Sequence, residues 1–181
     1  PHLFMQVAIA IFLTLLYSLP LWPFRFSIDI KNAGILKTVL LAFTWTYVTV
    51  VIPAANFENV SAVLTLMAAR FFFIFMLCTI FDRRDVKTDK LHGLQSLATN
   101  VSGTTVHYIM MISFVLFIAA GIWIRYQFSE TNQLVAFIIT GLTVWWVYRL
   151  SLKKQGYIFY YFVVDGLMLF SAAISFLAEL F

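Results

Sequence analysis

The chain has 181 residues, of which 62% are apolar, 18% aromatic and only 11% charged, and its mean hydropathy is +0.93. A water-soluble domain carries about 25% charged residues to wet its surface, so this composition excludes that class and makes lipid the solvent for most of the surface. The net charge of +4 comes from basic residues set between apolar runs, which points to anionic headgroups rather than nucleic acid as partners.

The chain opens at Pro1 and runs at once into an apolar stretch near 3–19. Neither a basic flank nor a small-residue cleavage site accompanies that stretch, so a signal peptide is not expected, and further residues before Pro1 are. A polar connection over 20–37, with Pro20 and Pro23, leads to a second apolar run at 38–55 that carries Pro53 and meets Asn56. The third run, 61–81, contains Arg70 and the single cysteine, Cys78, which excludes an internal disulfide. After a long connection over 82–104 come runs at 105–124, 134–149 and 160–180. Each is about 16–21 residues, enough for a helix to cross about 30 Å of hydrocarbon. None shows the two-residue alternation of a barrel strand. The expected fold is therefore all-α: a polytopic transmembrane bundle of six helices, one domain over 1–181, without internal repeats.

Sidedness follows from the basic residues. The connections 20–37, 82–104 and 149–159 hold Arg25, Lys31, Lys37, Arg83, Arg84, Lys87, Lys90, Arg149, Lys153 and Lys154, ten of the twelve. The opposite side holds Arg125 alone, and Arg70 lies within a span. By the positive-inside rule the first side is cytoplasmic, in an inner-membrane protein.

Chemistry concentrates in the 82–104 connection, which begins Asp82-Arg83-Arg84-Asp85-Val86-Lys87-Thr88-Asp89-Lys90-Leu91-His92-Gly93-Leu94-Gln95-Ser96. Three of the eight acidic residues fall within eight positions. Continued helically at about 100° per residue, Asp85 lies about 60° short of one turn from Asp82, and Asp89 about 20° short of two. All three carboxylates then share one face over about 10 Å, and Gly93 is a natural helix stop. Like charges so placed repel unless a cation sits among them. A hard divalent ion such as Mg²⁺ suits few carboxylates completed by water and phosphate oxygens, and the interleaved Arg83, Arg84, Lys87 and Lys90 suit phosphate directly. The plainer reading is a solvated juxtamembrane helix with acid–base pairs at helical spacing. An EF-hand is excluded because the alternating Asp-x-Asp pattern is absent.

Asp-x-x-Asp-x-x-x-Asp-x-x-x-Gly-x-x-Ser directly after a membrane helix resembles the second aspartate-rich motif of the UbiA superfamily of intramembrane prenyltransferases. Lys31-Asn32-Ala33-Gly34-Ile35-Leu36-Lys37, followed by a span with Trp45 and Pro53, resembles the family's approach to its fifth helix. The resemblance implies helices 4 to 9 of a nine-helix fold, with the motif cytoplasmic. It implies that Asp82, Asp85 and Asp89 hold Mg²⁺ and an isoprenyl diphosphate, with Arg83, Lys87 and Lys90 as phosphate contacts. It implies transfer of the isoprenyl group to an acceptor such as a hydroxybenzoate, a naphthoate, a haem vinyl group or another lipid precursor. Asn-Asp-x-x-Asp, the family's first motif, is absent from these residues; Gln95 stands where Lys is common and Ala98 where Pro is common.

Other polar residues offer alternatives. Asp165, about five residues into the last span, is a contributor to the substrate cavity near the aspartates, a hydrogen-bonded helix contact, or a group partly exposed at the headgroups. Arg70 binds an anionic group, pairs with a carboxylate or faces water. His107, without an acidic or cysteine partner in the sequence nearby, reads as structural. Tyr160, Tyr161, Trp22, Trp145 and Trp146 read as interface anchors or packing residues. Against the prenyltransferase stand a non-catalytic homologue lacking the first motif, and a small transporter using Arg70 and Asp165. No nucleotide loop, nucleophile elbow or zinc spacing is present.

Overall fold

A computed structural model describes residues 2–18, 30–54, 59–91, 96–129 and 131–180. Pro20, Trp22, Pro23, Arg25, Asn56, His92, Gly93 and Gln95 lie outside the described residues, as do the side chains of Lys31 and Lys87. Described residues form α1 (His2–Ser18), α2 (Ile30–Thr46), α3 (Val60–Leu91), α4 (Leu97–Asn100), α5 (Gly103–Phe128), α6 (Thr131–Ser151) and α7 (Asp165–Leu180). A π-helical segment, Tyr47–Val51, extends α2, and another, Phe159–Val164, leads into α7. The bundle is thus all-α as expected. The count is corrected: seven α-helices and two π-helical segments among the described residues replace the expected six helices.

Five helical stretches are long and apolar enough to cross a membrane: Gly34–Val51, Val60–Val86, Gly103–Phe128, Thr131–Ser151 and Phe159–Leu180. The apolar part of α1, Phe4–Leu16, is shorter. This is an integral membrane protein by length and composition. Its outer surface agrees: Ile112, Val115, Trp146, Leu169 and Phe176 are among many large apolar side chains left exposed. Contiguous apolar surface of that kind is stable against lipid and not against water.

The additional helices arise where hydropathy carries no signal. Between Val60 and Leu91 there is neither Gly nor Pro, so nothing stops α3 when its sequence turns polar at Asp82. Its 32 residues measure about 48 Å, well beyond a hydrocarbon core of about 30 Å, and its last turns emerge as a charged stalk. Lys90 in the final turn complements the helix dipole. The short α4 begins at Ser96, whose backbone N–H donates to Thr99 Oγ1 at 2.8 Å in a capping box.

α3 is the hub, packing against α2, α4, α5 and α6. Eight consecutive residues, Phe73–Ile80, are buried, which requires neighbours on every side of the helix. Thr46 and Thr79 donate to the carbonyls of Ala42 and Phe75, each at 2.8 Å, so these buried hydroxyls are satisfied within their own helices. Near the end of α2, Pro53 has no N–H to offer the Thr49 carbonyl one turn back. The chain widens there into the π-helical segment, with Ile52 N–H donating to Tyr47 O at 3.2 Å.

Candidate functional site at the basic end of the bundle

Contacts collect the basic connections at one end. Gly34 of α2 lies against Ser96, Thr38 reaches Asp82, and Arg83 and Arg84 reach the rings of Tyr148 and Tyr160. At the other end the Gln127 side-chain amide donates to Ser61 Oγ, and Gln133 donates to Ser175 O at 3.2 Å.

Because α3 is unbroken through Leu91, Asp82, Asp85 and Asp89 follow helical spacing on one face of the emerging stalk. Their surroundings differ. Asp82 is half-buried, and its Oδ2 accepts a 2.7 Å hydrogen bond from the Thr38 hydroxyl of α2. The Leu97 backbone amide at the start of α4 also donates toward it, Asp89 is near enough to repel it, and Lys37 near enough to attract it. Asp82 is thus gripped from two other helices. Nothing in a hydropathy reading singles out Thr38; the available signal is its place one turn beyond Gly34, beside Lys37, where α2 starts.

Asp85 is committed elsewhere. Arg84 donates to it through Nε and Nη2, both at 2.7 Å, in a pair whose side chains are 23% and 39% exposed. The Arg84 guanidinium also lies 5.2, 5.4 and 5.1 Å from the ring centres of Phe81, Tyr160 and Tyr161, an aromatic cradle for a cation. Arg83 lies over the Tyr148 ring at 5.8 Å. Arg83 Nε and Arg84 Nη1 are buried and have no acceptor among the described residues, so both guanidiniums retain bonding capacity. Lys90 is exposed.

No family model, curated protein or solved structure matches this chain. What the site can do therefore rests on its own geometry.

Among the described residues, no three His, Cys, Asp or Glu side chains gather into a group that could hold a metal ion. Asp82 and Asp89 form the shared part of the acidic face, and Asp85 turns to Arg84. Asp82 and Asp89 stand about 10 Å apart along α3, too far to share one ion, but each fits a Mg²⁺ of its own, which usually keeps several waters and takes the rest of its shell from phosphate oxygens. The partly exposed Asp85–Arg84 pair is the kind that exchanges at little cost, so Asp85 is able to join them.

His107 is a packing residue: its Nδ1 lies 3.2 Å from the Tyr148 hydroxyl and its ring packs on Trp145 and Tyr148. Asp165 is exposed at the first turn of α7, with no hydrogen bond or ion pair joining it to the aspartates among the described residues. Arg70 sits in the membrane interior, its guanidinium 5.4 Å from the Phe73 ring centre and its Nε donating to Thr49 Oγ1 at 3.4 Å.

Proposed function

We propose that this chain is the aspartate-motif portion of an intramembrane prenyltransferase of the UbiA type, which holds an isoprenyl diphosphate at the basic end of the bundle. One observation carries the reading. A single helix leaves the apolar bundle carrying Asp82, Asp85 and Asp89 at helical spacing, with Asp85 paired to Arg84, beside two arginines with unused donors. An amphiphile with a multiply charged head and an apolar tail matches that junction, its head at the stalk and its tail along the lipid-facing helices.

Mg²⁺ bound there supplies charge neutralisation for the departing diphosphate. Asp82 and Asp89 are the residues that would each hold such an ion, and the Thr38 hydroxyl and the Leu97 amide keep Asp82 aimed. Arg83 and Arg84 offer phosphate oxygens charge-assisted hydrogen bonds. The aromatic rings of Tyr148, Tyr160 and Tyr161 flank the same end and limit water at the reacting carbon. The basic end faces the cytoplasm under this reading, and the acceptor is an aromatic or lipid precursor. A two-motif site needs a further acidic loop beyond Asp82–Asp89. A transporter using Arg70 and Asp165 together gains no support, since Arg70 lines an interior space and Asp165 is exposed.

The test uses the full-length protein in membranes with a radiolabelled prenyl diphosphate, following retention of the diphosphate and transfer of the label. Wild type retains label only with Mg²⁺ present; Asp82→Asn and Asp89→Asn each lower retention at least about tenfold, and transfer with it. Mg²⁺-independent retention, or unchanged retention in Asp82→Asn, would remove the acidic face from the function.

A further inference from the structure

Twelve positions before Asp82 on α3, about 18 Å along the helix, Arg70 borders a cavity of about 360 Å³. That separation puts the cavity beyond reach of a group held at the aspartates. It is a second site, independent of the function proposed above.

Five helical elements meet there. The π-helical segment contributes Thr49, α6 contributes Gln133 and Thr140, and α7 contributes Ser171 and Ser175. Phe73 of α3, Phe117 of α5 and Phe137 of α6 supply aromatic wall. Among the described residues that line the cavity, Arg70 alone carries a charge. No carboxylate among the described residues lies within ion-pairing distance of it. Among the described residues its one hydrogen bond is the 3.4 Å contact from Nε to Thr49 Oγ1, and Thr49 spends its own proton on the Trp45 carbonyl at 2.7 Å.

A guanidinium cannot shed its proton to escape this setting, and an uncompensated charge about 15 Å into a spanning helix is costly. Relief comes from water or from an anion. The walls choose between anions. One cation balances one negative charge, which matches a carboxylate better than a phosphate monoester, and the fork of a guanidinium fits two carboxylate oxygens. The volume falls in the range of about 300–1,000 Å³ typical of small-molecule sites, which are mostly apolar with a few placed polar groups. The Thr140, Ser171 and Ser175 hydroxyls stand ready for a polar substituent. The location also coincides with a π-helical segment, a distortion concentrated at functional sites.

We infer that the Arg70 cavity binds a small organic carboxylate, its acid group on Arg70 and its apolar body against Phe73, Phe117 and Phe137. Such a carboxylate comes either from solution, as an aryl acid, or from the bilayer, as a fatty acid.

Calorimetric titration of the full protein in phosphatidylcholine nanodiscs, corrected with empty nanodiscs, separates these. The probes are 4-butylbenzoate, the neutral 4-butylbenzamide, and oleate. At least one of the two acids binds saturably, and an aryl source shows as 4-butylbenzoate binding about tenfold or more tighter than its amide, the order a charge-assisted pair supplies. Arg70→Gln abolishes saturable binding of either acid. Ser171→Leu, which keeps the charge and fills the cavity, weakens acid binding by a similar factor; it serves also if Arg70→Gln does not fold. Oleate binding without 4-butylbenzoate binding assigns the site to bilayer lipid, and the reverse assigns it to a soluble acid. Benzoate and benzamide binding alike with oleate inert, acid binding that survives in both folded variants, or no saturable acid binding would overturn the inference. Because retention of prenyl diphosphate depends on Asp82 and not on Arg70, each outcome is separable from that of the preceding section.

Discussion

Thr38 and Asp82 join α2 to α3 by a hydroxyl–carboxylate hydrogen bond of 2.7 Å, while Asp85, three residues on, is tied to its neighbour Arg84. The two contacts differ in what they are worth. A hydrogen bond to a charged group contributes about 1.5–3 kcal/mol, because a half-buried carboxylate stripped of its donor stays desolvated. An ion pair with partly exposed partners contributes about 0–1 kcal/mol. Thr38→Val is therefore expected to destabilise the protein by about 1.5–3 kcal/mol, and Asp85→Asn by less than about 1 kcal/mol. Thermal unfolding in detergent checks both, and equal losses would mean that Asp85 is held as firmly as Asp82. In the same preparations Asp85→Asn is expected to weaken Mg²⁺-dependent diphosphate retention severalfold despite its small effect on stability, since it removes the carboxylate that lies between Asp82 and Asp89 along the helix. The acid spacing was legible in the sequence; the partners were not. Adjacent helical residues do not ordinarily face one another, so the Arg84–Asp85 pair is invisible to spacing rules. It forms because Arg84 wraps onto Phe81, Tyr160 and Tyr161, two of which come from a helix far along the chain.

At the scale of elements, the spans could be read because bilayer thickness imposes a length and an apolar composition on each. The expected runs at 38–55, 61–81, 105–124, 134–149 and 160–180 fall on helices at Gly34–Val51, Val60–Val86, Gly103–Phe128, Thr131–Ser151 and Phe159–Leu180. Helical structure outside the hydrocarbon answers to different physics. The stalk Asp82–Leu91 and the single turn of α4 are set by the lack of breakers, by capping and by packing, none of which hydropathy measures. Where α2 and α4 cross, Gly34 decides how close they come. A Cβ there would meet the Ser96 carbonyl carbon at 2.6 Å and its oxygen at 2.7 Å, and backbone cannot step aside as a flexible side chain does. Gly34→Ala is expected to cost about 1–3 kcal/mol by overpacking, pushing α4 from α2 and taking the Leu97 amide from Asp82. Unfolding reads the stability, and prenyl diphosphate retention falls in the folded fraction as well. Retention unchanged in a destabilised variant would show that α4 is not needed to aim Asp82.

For the molecule as a whole, the distribution of charge over the two ends of the bundle determines how it sits in a membrane. Lys37, Arg83, Arg84, Lys90, Arg149, Lys153 and Lys154 gather at the end where Thr38 meets Asp82, whereas Arg125 lies at the other, near the Ser129 turn whose N–H closes on the Arg125 carbonyl at 2.7 Å. That grouping was legible from the loops because alternate connections of a helical bundle must emerge on the same side. The Arg70 cavity was not, because it is assembled from five helical elements whose approach no single segment encodes. The positive-inside rule puts the end richer in Lys and Arg on the cytoplasmic side, so the prediction is that the aspartate face opens to the cytoplasm. The native cysteine makes this directly measurable: Cys78 is 9% exposed in the core, out of reach of a water-soluble reagent, so the unmodified protein gives little background. A cysteine introduced at the exposed Lys154 is expected to react with a membrane-impermeant maleimide only in inside-out vesicles. One at the exposed Arg125 is expected to react only in right-side-out vesicles. Labelling of Lys154→Cys from outside would invert the protein and overturn the predicted cytoplasmic orientation of the acidic face. Labelling of both positions from one side would instead break the antiparallel path of α5 and α6 through the bilayer.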